Sequence, residues 1–307
     1  MLNKKAFVFG LAIFALGPHA ALAAGTKVSI GYVTAVDFLP ALVSQETGCY
    51  AENGIEAELI RIQVATNIPA ALTSNTMQIG MSTATILLPA AENGLDLVAV
   101  AGSSRLKKGN EGISLVVRDG VQIDDAKAAV GKKIGVPGIL STGDLIFRKW
   151  LKNNGVDPAS VTFVETPFPR MKDMIKAGTV DGVLAAEPVR SMITGDKTGG
   201  RSKSEYYSAV SPDSLLTIWI SNGAWAKANP KIVQAFRTCL DKSIAWIKAN
   251  GEQSKEVEKK YFRFNTGTTA DWTSDVTSQD LDFYLAVSKE FDLVRKNIDT
   301  SKLIFKP

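Results

Sequence analysis

The chain has 307 residues, 45% of them hydrophobic and 21% charged, which is enough for two domains that bury roughly 75% of the unfolded surface. That composition excludes a disordered chain, a collagen-like repeat and a disulfide-dense scaffold. The 35 basic and 31 acidic residues leave a net charge of +4, too small an excess for a nucleic-acid surface.

Lys4 and Lys5 precede an apolar run over 6–17, and Pro18 leads into Ala21-Leu22-Ala23. A charged start, a short apolar stretch and an A-x-A site form the pattern of a secretory signal, with cleavage expected after Ala23. The 12-residue run is too short for a bilayer core of about 30 Å. No cysteine follows it, so a lipid anchor is not expected. The mature protein is expected to be soluble in a periplasm-like compartment. The sole histidine, His19, leaves with the signal, so no Ser-His or Cys-His nucleophile pair and no His-ligated metal can be built. No cofactor motif stands out. Cys49 and Cys239 lack C-x-x-C spacing; they form either one bridge or two buried thiols.

The mature chain opens with a strand at 28–33, followed by apolar positions Leu39, Leu42 and Val43 at helical spacing, which Gly48 terminates. Strands are expected at 55–62, 77–81 and 97–101, with helices at 67–74 and 85–93. This is a βαβαβαβ order and a doubly wound parallel sheet. After a polar stretch at 103–112 the pattern restarts. Strands follow at 113–117, 133–136, 161–165 and 183–186, with helices at 124–129, 145–153 and 170–177. The 199–203 stretch reads as an exposed loop and 215–220 as a strand that could cross back. Helices at 232–249, 254–262 and 278–296 complete the chain. Two α/β lobes with a helical C-terminal return result, joined by crossings near 108–114 and 210–224. The expected division is 24–111 and 224–307 for the first lobe and 112–223 for the second.

In such a fold ligands bind at the carboxyl ends of strands, in the crevice between lobes. Ser141 or Thr142, after the strand at 133–136, caps the next helix or binds an anion there. Asp144 stands where a phosphate loop needs Lys, which argues against a nucleotide. Ser82 and Thr83 repeat the arrangement in the first lobe. Thr34, Asp37 and Phe38 follow the opening strand, Asp37 as a cap or ligand contact and Phe38 as a wall. Glu187 is expected at a strand tip, with Arg190 either paired to it or gripping a ligand carboxylate. Arg105, Lys107 and Lys108 read mainly as a solvated loop. Trp219 is core or ligand platform.

These pieces resemble the periplasmic solute-binding proteins of ABC importers in the nitrate, sulfonate and taurine group, including relatives that bind thiamine-precursor pyrimidines. The resemblance is carried by Asp37-Phe38-Leu39-Pro40, the run from Gly48 to Ile55, the run from Gly80 to Thr85, the run from Gly131 to Val136, and the run from Ala177 to Gly182 with Glu187-Pro188. It implies the type II periplasmic binding fold and a monomer that captures a small solute without catalysis and delivers it to a membrane permease. The ligand contacts it implies fall on the 34–38 turn, on Ser82 and Thr83, on Ser141 and Thr142, and near Glu187. The solute expected is anionic, a sulfonate, carboxylate or nitrate-like species. Sulfonate binders often carry Gly-Asp where this chain has Ala84-Thr85. An enzyme on the same scaffold would rest on Glu187 and Asp37 as acid or base, and a sensor would need a fused membrane helix.

Overall fold

The computed structural model describes residues 25–107, 112–195, 197–202, 205–264 and 270–307; the signal expected at 1–23 and Lys108 lie outside them. The first lobe begins with β1 (Thr26–Tyr32), α1 (Leu39–Glu46), α2 (Cys49–Glu52), β2 (Ile55–Arg61), α3 (Ile68–Thr73), β3 (Ile79–Ser82), α4 (Ala84–Glu92) and β4 (Leu97–Lys107). The second lobe holds β5 (Ile113–Arg118), β6 (Lys133–Val136), α5 (Thr142–Asn153), β7 (Thr162–Glu165), α6 (Phe168–Lys176), β8 (Gly182–Ala186), α7 (Val189–Gly195), β9 (Gly199–Arg201) and α8 (Tyr206–Val210). The chain then returns through β10 (Asp213–Asn222), α9 (Gly223–Ala228), α10 (Pro230–Ala249), α11 (Gly251–Phe262), β11 (Asp271–Trp272) and α12 (Ser278–Glu290).

Among the described residues the strands form two sheets, ordered β11-β4-β10-β3-β1-β2 and β7-β6-β8-β5-β9. β1 pairs parallel with β2 and β3, and β6 parallel with β7 and β8. The expectation of wholly parallel sheets needs correction. β10 runs antiparallel between β3 and β4, and β5 antiparallel to β8 and β9. A strand entering from the other lobe arrives from the cleft end, which reverses its direction.

β10 also corrects the expected division, in which 112–223 formed the second lobe. It is a central strand of the first sheet, so the return crossing precedes Asp213. Eight consecutive buried residues from Ser214 to Ser221 demand cover on both faces, which a central position supplies. β4 runs six residues past the strand expected at 97–101, so Arg105 and Lys107 lie in the sheet rather than in a loop. Arg105 pairs with Asp280 at 2.6 Å and Asp213 at 3.3 Å, and Lys107 with Asp271 at 3.0 Å. The 199–203 stretch is likewise no free loop: Gly199, Gly200 and Arg201 pair with β5.

α10 packs across α1, and Cys49 and Cys239 are joined by a disulfide with Cα atoms 5.7 Å apart. The turn between α1 and α2 places Gly48 at φ +77°, a conformation glycine adopts without penalty. Beneath the disulfide, Ser44 Oγ meets Pro40 O at 2.9 Å and Ser243 Oγ at 2.8 Å, while Tyr50 stacks on Phe236. The bridge spans 190 residues, so its loss frees a long loop in the unfolded chain. Replacing both cysteines with serine is expected to lower unfolding stability by about 2–5 kcal/mol. Denaturant titration under non-reducing conditions measures this, and an unchanged midpoint contradicts it.

Candidate functional site

The carboxyl ends of β1, β2, β3, β6, β7 and β8 converge on a cavity of about 60 Å³ with walls from both lobes, several times the roughly 10–15 Å³ that one water requires. The first lobe supplies Val33, Ala35, Asp37, Phe38, Met81, Thr83, Ile86, Leu216 and Thr217, and the second Ile113, Pro137, Gly138, Ser141, Thr142, Phe168 and Ala186. Apolar side chains dominate the lining. Among its described residues there is no Lys or Arg.

The turn after β1 is held from three sides. Trp272 Nε1 donates to Val36 O at 3.0 Å, Ser103 Oγ to Asp37 O at 2.8 Å, and Val36 N crosses the cleft to Glu187 O at 2.9 Å. Asp37 caps no helix. It lies in a single tight turn, 3% exposed, and its Oδ1 accepts from Ser104 Oγ, which also meets Thr217 Oγ1 at 2.7 Å. Burial pushes this carboxyl above the usual carboxylate range, against the hydrogen bond from Ser104 and the charge of Arg190. Phe38 lines the cavity, and Trp219 stands behind it, edge-on at 5.3 Å and also edge-on to Phe236 at 5.4 Å. Trp219 is therefore core, 1% exposed, and not a platform.

Thr83 and Ser141 hold the N-cap positions just before α4 and α5, but neither side chain caps its helix. Thr83 Oγ1 meets Thr85 Oγ1 at 3.0 Å, and Thr85 meets Thr142 Oγ1 across the lobes at 3.2 Å. The Ser141 hydroxyl is buried and has no hydrogen-bond partner among the described residues. Thr142 and Gly143 add the open N–H groups of a helix start.

The remaining expected contacts stand apart from the lining. Ser82 is fully buried behind Thr83, and Thr34 is flanked by lining residues without joining them. Glu187 does not face the crevice. Its carboxylate accepts from Arg190 Nε at 2.7 Å and from Ser191 N and Oγ at 3.1 and 3.0 Å. Arg190 also donates to Ser114 Oγ at 2.9 Å, so its guanidinium is held inside the second lobe. Gln63, Thr66 and Phe168 line the cavity without having been expected. They follow β2 and β7, and the rule of strand carboxyl ends, applied to every strand, finds them.

Solved structures similar to this one define its class by shape. The alkanesulfonate-binding protein SsuA from Xanthomonas axonopodis pv. citri bound to MOPS superposes with a TM-score of 0.78, at 15% identity over 92% of this chain and 99% of that one. The periplasmic nitrate-binding protein NrtA from Synechocystis superposes at 0.74, with 15% identity over 90% of this chain and 84% of that one. The fold is that of periplasmic binding proteins. Residues 35–254 match the model of the NMT1/THI5-like family, and the chain belongs to that family. The nitrate/nitrite binding protein NrtA of Synechococcus elongatus is 26% identical over 281 residues, 77% of this chain and 59% of its own length. That of Nostoc is 27% identical over 267 residues, with 77% and 58% covered. The chain thus spans about three fifths of the length of these curated relatives.

Two consequences can be measured. Because the folded Asp37 holds a proton that the unfolded chain has released just above the ordinary carboxylate pKa, its burial costs stability as pH rises through that interval. The Tm of Asp37→Asn minus that of wild type should therefore increase as pH rises above the ordinary carboxylate range; a difference independent of pH contradicts the assignment. Arg190→Ala strands a carboxylate whose side chain is 4% exposed, and is expected to cost about 3–5 kcal/mol. A denaturation midpoint within error of wild type would show that the pair is not formed.

Proposed function

We propose that this chain is the solute-binding component of an ABC importer. It takes up a small solute with an acidic group between its two lobes and presents it, chemically unchanged, to a membrane permease. The observation that carries this reading is the cavity shared by both lobes at the strand carboxyl ends, in a family member whose relatives include proteins named for nitrate and nitrite binding.

The solute enters the open form on one wall, and closure adds contacts from the other. Thr83 and Phe38 belong to one wall, Ser141 and Thr142 to the other. Removing water between them strengthens each polar contact. A partly buried helix end contributes up to ~2 kcal/mol and a charge-assisted hydrogen bond about 1.5–3 kcal/mol. Two or three such contacts are needed for micromolar affinity, about −8 kcal/mol. The closed arrangement is held by the Val36–Glu187 backbone bond, by Thr85–Thr142, and by Lys149 and Lys152 on Glu290 at 2.6 and 3.1 Å.

Delivery to a permease fits a monomer in the periplasm after cleavage near Ala23. No helix among the described residues is long and apolar enough to cross a membrane. The curated relatives matched over most of this chain are named as binding proteins, which supports a role without catalysis.

A thermal-shift screen with sulfonates, carboxylates, nitrate and pyrimidines tests this directly. A ligand at about 100 times its Kd adds ~2.7 kcal/mol, a rise on the order of 5–10 °C in Tm. Recovery of the ligand intact and in stoichiometric amount supports the receptor, and chemical conversion of it counts against the reading.

A further inference from the structure

The two walls of the cavity differ in polarity. On the first lobe stands Asp37, a carboxyl 3% exposed whose side-chain donor among the described residues is the Ser104 hydroxyl. Among the described residues no cation forms an ion pair with it. Arg190, the cation whose charge acts on it, is bound to Glu187 and Ser114 instead. Its ionised form accepts at about four lone-pair positions, but holding that charge out of water without a counter-charge is costly, so burial favours the protonated carboxyl until a cation arrives.

The second lobe offers the opposite. The N-terminus of the 12-residue helix α5 opens on the cavity, with free N–H groups and a partial positive charge. The hydroxyl of Ser141, a residue 7% exposed, lines the cavity with no partner among the described residues. Asp144 lies in the same first turn, but it is engaged elsewhere. It accepts from Leu140 N at 2.7 Å and from Arg148 Nε at 2.7 Å. Val33, Met81, Ile86, Ile113 and Leu216 supply apolar lining.

We propose that the ligand is a small zwitterion whose acidic group sits on Ser141 and the α5 N-terminus, whose amino group sits on Asp37, and whose short apolar spacer crosses the cavity between them. This deepens the receptor reading and rests on it. A simple anion fills one end only and leaves Asp37 with no counter-charge for its ionised form, in a medium of low dielectric. An ammonium group favours the ionised form of that carboxyl, which releases its proton to solvent, and donates to its unused lone pairs.

Calorimetric titration of the purified protein with matched pairs tests the proposal: β-alanine against propionate, 4-aminobutyrate against butyrate, taurine against ethanesulfonate, and nitrate alone. The amino member of at least one pair should bind about tenfold tighter or more, a gap near 1.4 kcal/mol. Asp37→Asn should bring that ratio close to one. Ser141→Ala should weaken both members while keeping the ratio. If the acids without an amino group, or nitrate, bind wild type as tightly as the amino compounds, the zwitterion proposal is overturned and the receptor stands. If no member of any pair binds and nitrate does not either, both fall. Should Asp37→Asn not fold, the wild-type ratio and its persistence in Ser141→Ala decide the matter.

Discussion

The antiparallel pairing of β4 with β10 is the constraint on which the molecule depends. The chain leaves the first lobe along β4 and returns along β10, and the two strands lie side by side from Leu97–Asn222 to Lys107–Asp213. The whole second lobe is therefore an insertion between two neighbouring strands. The same pair shapes the cleft. Ser103 and Ser104 on β4 hold the backbone and carboxylate of Asp37, while the register shifts on β10 around Thr217 bring Leu216 and Thr217 to the lining. One ladder thus tethers the lobes and positions the cavity's acid.

Much of this architecture was legible in the residues. β6 coincides with the strand expected at 133–136, and β8 and α10 begin within two residues of the expected starts, because apolar runs bounded by Gly, Pro and Asn leave few alternatives. What periodicity cannot carry is direction. A fully buried run such as Leu215–Ile220 reads the same in a parallel or an antiparallel strand and in either lobe. β9 illustrates a second limit, since Gly199 and Gly200 bear no side chain to announce a strand, and pairing with β5 alone orders them.

At the cleft the outcome turned on where side chains spend their hydrogen bonds. Turns after strands were readable, and Asp37, Phe38, Thr83, Ser141 and Thr142 do line the cavity. Glu187 and Arg190 occupy such a turn as well, but with Glu187 just ahead of α7 and Arg190 in its first turn they satisfy each other inside the second lobe. Sequence spacing allows that pairing without requiring it. Among the described residues the cavity lining consequently carries no positive side chain, and positive potential there comes from backbone N–H dipoles and hydroxyls.

The bond between Cys49 and Cys239 has a topological effect apart from stability. It converts the chain between them into a covalent ring that contains both crossings and the whole second lobe. A single backbone cut anywhere in that ring opens it into a line without releasing a piece. The β1–α1 portion and α10, which pack on each other in the first lobe, remain fastened by sulfur. A chain nicked once by a protease at a loop of its second lobe thus stays one molecule, with its two crossings still side by side.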